Sequence, residues 1–213
     1  MKQFAMIAAV AVLGLAVWHQ SAPGSQPLVH LMYQIETFPQ MAVKANAVVA
    51  GQVLDISGTK WNQDDGTFWD RETAAGQSET ALPYYEITLR ADDPIVDTTT
   101  QGISAGSTVV LTVVGMNPID EQQISQNLGI AAGDHGPEGL RKGQRIVAFA
   151  QNTRLAWRQG TKPVLQLMGH PEQSYFTTVA NGNFESHAQD APSGSLADLK
   201  AQVLALRAGQ ATE

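Results

Sequence analysis

The chain has 213 residues, a net charge of −7 and no cysteine. Without a thiol there can be no disulfide framework, no thiolate zinc site, no thiol catalysis and no lipid-modified N-terminal cysteine. An acidic chain whose one basic run is "LRKGQR" has no clustered Lys and Arg for a phosphate backbone or an anionic bilayer, so nucleic acid is not an expected partner.

Lys2 precedes an unbroken apolar run, "FAMIAAVAVLGLAVW", from Phe4 to Trp18, and the polar, breaker-rich "HQSAPGSQP" follows it. A positive start, an apolar stretch and a small-residue exit make up a secretory signal. The run falls short of the roughly 20 residues a membrane-crossing helix needs. Gly14-x-Ala16 and Pro23-x-Ser25 are imperfect cleavage sites, so an uncleaved N-terminal anchor is the alternative. No second apolar stretch of that length occurs, which rules out a transmembrane bundle and leaves at most that anchor. The expected organisation is a signal or anchor with linker over 1–27, one domain over 28–209 and a tail over 210–213. The domain is long enough to bury a sizeable core without disulfides. The expected location is secreted or extracytoplasmic, at the cell envelope.

In chain order, "TFPQMAVKA" (37–45) predicts a short helix, with Thr37 as N-cap and Pro39 in the first turn. Strands follow over 46–58, 83–93, 106–116, 144–152, 162–169 and 174–187, rich in β-branched residues and bounded by Gly, Pro or Asx. In 84–90, Tyr85, Ile87 and Leu89 alternate with Glu86, Thr88 and Arg90, the period of a half-buried strand. Asn181 and Gly182 predict a hairpin turn with positive φ at both residues. "SLADLKAQVLALRAG" (195–209) predicts an amphipathic helix capped by Ser195 and ended by Gly209. Its apolar face carries Leu196, Leu199, Val203 and Leu206, and docking on the sheet is favoured over partner binding. The fold class is therefore mainly β: a closed or partly open antiparallel β-barrel with a short N-terminal helix and a C-terminal amphipathic helix.

Two long loops, 57–82 and 117–143, are the candidate functional segments. The five histidines, at positions 19, 30, 135, 170 and 187, never fall at the i, i+4 spacing that pairs two imidazoles on a helix. "SGTK" (57–60) matches SxxK formally, but it stands at a strand end with no KTG after it. Asp134, His135 and Glu138 could supply a base with an orienting carboxylate, or three metal ligands. Their Gly-Pro setting reads as turn chemistry instead, with Leu140 anchoring the loop and Lys142-Gly143 closing a turn. In the first loop Trp61, Phe68 and Trp69 lie among Asp64, Asp65, Asp70 and Glu72. Rigid aromatics on a loop anchor protein or glycan partners; folded back, the same tryptophans would cap the end of the barrel. The acidic set misses the calcium-loop pattern, because Gly66 comes one place early and Thr73 replaces the closing Glu.

"TFPQMAVKANAVVAGQV", "YYEITLR", "AGSTVVLTVVG" and "LRKGQRIVAFAQ" together resemble a widespread kind of secreted bacterial protein, in which a short helix precedes an ADxVVxGxV-like strand and a later LxxGxxxxxFL-like strand. The resemblance spans about residues 37–152 and implies a small closed barrel of oligonucleotide/oligosaccharide-binding (OB) type. Asn46 stands where an acidic residue is usual, and the first loop is unusually long. No catalytic residue is carried over, and no cofactor or metal is expected. The expected role is a non-enzymatic binding or envelope-associated module that uses the rim residues Trp61, Asp64, Asp65, Phe68, Trp69 and Asp70. The alternatives are an extracellular hydrolase built on Asp134, His135 and Glu138, and a protease-inhibitor-like barrel.

Overall fold

The computed structural model describes residues 36–67, 82–115, 117, 120, 140–157, 160–169, 173–179, 181–186 and 188–210. Their elements in order are α1 (Phe38–Lys44), β1 (Ala47–Ile56), β2 (Tyr84–Asp97), β3 (Thr108–Val114), β4 (Arg145–Trp157), β5 (Gly160–Leu167), β6 (Tyr175–Thr178), β7 (Phe184–Glu185) and α2 (Leu196–Gln210). None of the described helices is long and apolar enough to cross a membrane.

The chain is mainly β, a seven-stranded sheet in which five strands close a ring. β1 pairs antiparallel with β2 along one edge and with β4 along the other. β2 pairs with β3, and β4 with β5, both antiparallel. The ring shuts where β3 meets β5, in parallel, at Thr112 and Gln166. The expected all-antiparallel arrangement is therefore corrected at this one seam. The alternation in each strand marks which face is buried but says nothing about the direction of its neighbour.

β4 explains why "IVAFA" (146–150) is apolar without interruption. Ile146, Ala148 and Ala150 face the interior of the ring with Val49, Ile87, Leu89, Leu111 and Leu165. Val147 and Phe149 face outward into a second core with Phe38 and Met41 of α1, Leu199 and Val203 of α2, and Phe176. A strand buried on both faces has no position for a polar residue. Phe38 meets Phe149 and Phe176 edge-on, at ring-centroid distances of 5.9 and 5.6 Å. β6 extends the sheet from the first half of β4, pairing Tyr175, Phe176 and Thr177 with Ala148, Val147 and Ile146.

Both helix starts are sealed by their own side chains. Thr37 and Gln40 form a reciprocal capping box on α1. Ser195 and Asp198 do the same on α2, and the Ser195 contacts hold the Asp198 carboxyl below its usual range. α2 is docked as expected: Leu199 and Val203 are buried, with Leu196 and Leu206 packed beside them. It runs through Gly209 to Gln210 rather than stopping there. Gly209 does not take the left-handed φ of a C-capping glycine, so the helix continues through it.

The strands outrun their sequence patterns. β2 continues past 93 to Asp97, and β4 past 152 to Trp157. The 174–187 segment divides into β6 and β7 around the predicted turn. In that turn only Gly182 takes a left-handed φ, +82°. Asn181 instead accepts a hydrogen bond from the Asn183 N–H through its side-chain Oδ1, at 2.9 Å, which tightens the turn without a positive φ. Asn46, in the position where the resemblance expects an acid, uses both ends of its amide. Its Oδ1 accepts from the Asn152 N–H at 2.9 Å and its Nδ2 donates to Thr98 at 3.4 Å, tying β1 to β4 and β2. A carboxylate could not donate the second bond.

Candidate functional site

The outside of the ring has two unlike halves. The second core lies over β1 and β4 and takes only Ile95 and Val96 from β2, and nothing from β3 or β5. Over β2 and β3 the outward residues are instead Tyr84, Glu86, Thr88 and Arg90, opposite Val114, Thr112, Val110 and Thr108. Gln166 continues the Glu86–Thr112 row onto β5. This face is mostly polar, with Tyr84 and Thr112 buried in it and one exposed large apolar residue, Val110, at 42% exposure.

One end of that face is an apolar shelf. Tyr84, Leu155 and Trp157 form a separate cluster, with Val114 and Val164 against it. The Tyr84 and Trp157 rings lie 6.0 Å apart, and the Lys162 ammonium sits 4.5 Å from the centre of the Trp157 ring. A shallow cleft of about 80 Å³, lined by Leu82, Tyr84, Arg154, Leu155 and Ala156, opens beside it. Burial first, then the nearby Glu86 and Asp64 carboxylates, push the Tyr84 phenol up to about 12, so it is a neutral donor at any physiological pH.

The first loop leaves β1 at this shelf. Lys60 and Tyr84 exchange two backbone hydrogen bonds, 2.6 and 2.9 Å, and the Lys60 ammonium pairs with Glu86. Residues 61–67 then close on themselves: the Trp61 N–H donates to Gly66 and the Gly66 N–H to Gln63, while Asp65 accepts from the Thr67 N–H and hydroxyl. Trp61 is buried, at 1% exposure, the placement expected of a residue that caps the end of the ring. Asp64 reaches across to accept the indole N–H of Trp157 at 3.0 Å. The sequence-predicted residues Trp61, Asp64 and Asp65 are thus brought together in one turn. Phe68, Trp69, Asp70 and Glu72 lie outside the described residues, as do Asp134, His135 and Glu138.

The second loop starts beside the first. The Thr59 N–H donates to Asp120 at 2.6 Å, the Asn117 N–H donates to the Thr59 hydroxyl at 2.9 Å, and the Asn117 amide donates to the Ser57 carbonyl at 2.8 Å. Ser57 itself accepts from the Glu86 N–H at 2.9 Å. With Ser57 and Lys60 both engaged with β2 at Glu86, "SGTK" is loop-root structure and not a nucleophile with its base. The far end of the second loop behaves as its residues predict. Leu140 packs against the ring core, and the Gly143 N–H donates to the Val53 carbonyl at 2.7 Å with φ at +87°.

Among the described residues no group of three His, Asp or Glu is placed to hold a metal ion. Sequence reasoning missed Tyr84, Trp157 and Lys162, because each reads as an ordinary strand residue and only the closure of the ring puts them beside the first loop. No protein-family model matches the chain, and no curated protein is significantly similar to it.

Proposed function

We propose that this chain is an exported, non-enzymatic binding module of OB-like type that seats an extended glycan on the open face of β2, β3 and β5. The observation that carries the reading is the ring order β1-β2-β3-β5-β4-β1 with its parallel β3–β5 seam, together with a first loop that touches the end of the β4–β5 hairpin through Asp64 and Trp157. Barrels of OB type take oligomeric ligands on the β2–β3 face between these two loops, though fold alone does not fix function. The half-buried Glu86, Thr88 and Gln166 on this face offer the acceptors and donors that sugar hydroxyls need, while Thr112 between them is buried. The acidic chain opposes a polyanion. Export rests on the Lys2 and Phe4–Trp18 pattern.

The test is a titration of the ¹⁵N-labelled full chain with chito-oligosaccharides and soluble peptidoglycan fragments. Saturable shifts at Thr88, Thr112 and Gln166, abolished by Gln166→Ala, are the expected result. Shifts confined to the α1–α2 face, or none at all, would sink the glycan reading. Export is checked separately, by cell fractionation and the intact mass of the product.

A further inference from the structure

We infer that Arg90 is a carboxylate subsite, so that the glycan on the open face is an acidic one: an N-acetylated hexosamine chain carrying a lactyl carboxylate. This rests on the proposed function and names the sugar chemistry that it leaves open.

Arg90 stands on β2 two residues, about 7 Å, beyond Thr88 on the same outward row. It is exposed, and so is Thr108 opposite it on β3. Its guanidinium is oriented by a chain of two hydrogen bonds. One of its terminal nitrogens donates to Gln52 Oε1 at 2.8 Å, and the Gln52 amide donates in turn to the Gly143 carbonyl at 3.0 Å. Gln52 lies on β1, directly across from Arg90, and Gly143 in the turn that leads into β4. The bond to Gln52 goes to a neutral oxygen and leaves the rest of the fork to meet a planar anion. Asp92 pairs with Arg145, Asp93 with Lys200 and Glu86 with Lys60, and Asp55, exposed on β1, forms no ion pair with Arg90 among the described residues.

Val110 lies diagonally across from Arg90 in the β2–β3 ladder, near enough for the two to share one ligand. At 42% exposure it sets an apolar contact beside the cation. A carboxylate next to a methyl group is what a lactyl ether presents, whereas a uronic acid lacks the methyl. The chain as a whole carries −7 and repels an acidic sugar at long range. A preference for the acid must therefore come from a local cation.

Calorimetric titration of the full chain with chitotriose, and with the trisaccharide GlcNAc–MurNAc–GlcNAc, tests the subsite. The two sugars differ by one 3-O-lactyl carboxylate. At low salt the acidic sugar is expected to bind about tenfold tighter, the low end for a hydrogen bond to a charged group, and the margin should shrink as salt is raised. Arg90→Gln should erase the margin. Arg90→Lys, which keeps the charge but not the fork, should keep part of it, and so should Gln52→Ala, which frees the fork to turn. If chitotriose binds and the acidic sugar gains nothing, the carboxylate subsite is wrong and the glycan reading stands. A margin that survives Arg90→Gln would overturn the subsite as well. If neither sugar binds, the glycan reading fails and the subsite with it. A uronic-acid oligosaccharide that gains as much over its own neutral backbone would leave no part for Val110 and overturn the lactyl assignment.

Discussion

A Cβ atom on Gly51 would stand 2.4 Å from the carbonyl oxygen of Arg90. The pairing of β1 with β2 slips between Ala50 and Gly51, and again on either side of it. Such bulges coil a strand, and β1 must coil because it serves β2 on one edge and β4 on the other. The clash is with backbone, which cannot swing away. Gly51→Ala should therefore cost about 3 kcal/mol and lower the thermal midpoint by about 6–12 °C. A variant that melts within a degree of the parent would show that the strands are not this close.

The second core depends on one aromatic. Phe149 is fully buried and meets both Phe38 and Phe176 with ring centroids 5.9 Å away. Phe149→Ala should cost about 3–5 kcal/mol, and Phe149→Leu much less. Because Phe38 anchors α1, the Ala variant should also lose amide protection over 38–44 before the ring strands do. Equal loss in both regions would mean that the two cores unfold as one.

Arg207 ties the two helices end to side. One guanidinium nitrogen donates to the carbonyl oxygens of Ala42, Val43 and Ala45, at 2.9–3.0 Å. These are carbonyls that the end of a helix leaves without intrahelical partners, and a cation there also meets the negative end of the helix dipole. Arg207→Ala should cost about 1–3 kcal/mol. Arg207→Lys, a point charge on a more flexible stem, should recover only part of this. The check is the urea midpoint of the three proteins, with the Lys variant expected between the other two.

The elements that were legible in the sequence are those whose neighbours do not matter to their pattern. Thr37 with Pro39, and Ser195 with Asp198, announce helix starts within four residues. Tyr85, Ile87 and Leu89 announce a strand by alternation alone. What stayed hidden depends on distant pairing. The parallel seam at Thr112 and Gln166 leaves no mark on either strand. The extra length of β4 to Trp157 follows from its pairing with Gly160 and Thr161 of β5, not from any apolar run. The rim was half visible. Trp61 and Asp64 stand out as an aromatic and an acid in a loop, but the residue Asp64 bonds lies 93 positions away, and short-range spacing carries no information at that distance.

The Tyr84 phenol provides a pH test of the rim. Its proton is held up to about 12, by burial first and then by Glu86 and Asp64, against about 10 in an unfolded chain. The sign follows from proton counts. Between pH 10 and 12 the unfolded chain has released this proton and the folded chain has kept it, so stability falls as pH rises. The contribution is whole below pH 10 and gone above 12. In absorbance at 295 nm, Tyr84 should titrate near pH 12 and lose that step in Tyr84→Phe. The Phe variant should also show a flatter decline of the urea midpoint between pH 10 and 12. Asp64→Asn removes the weakest of the three causes and should lower the Tyr84 midpoint slightly, whereas Glu86→Gln should lower it more. If Asp64→Asn moves it further than Glu86→Gln, the carboxylate at the Trp157 indole stands closer to the phenol than the one paired with Lys60.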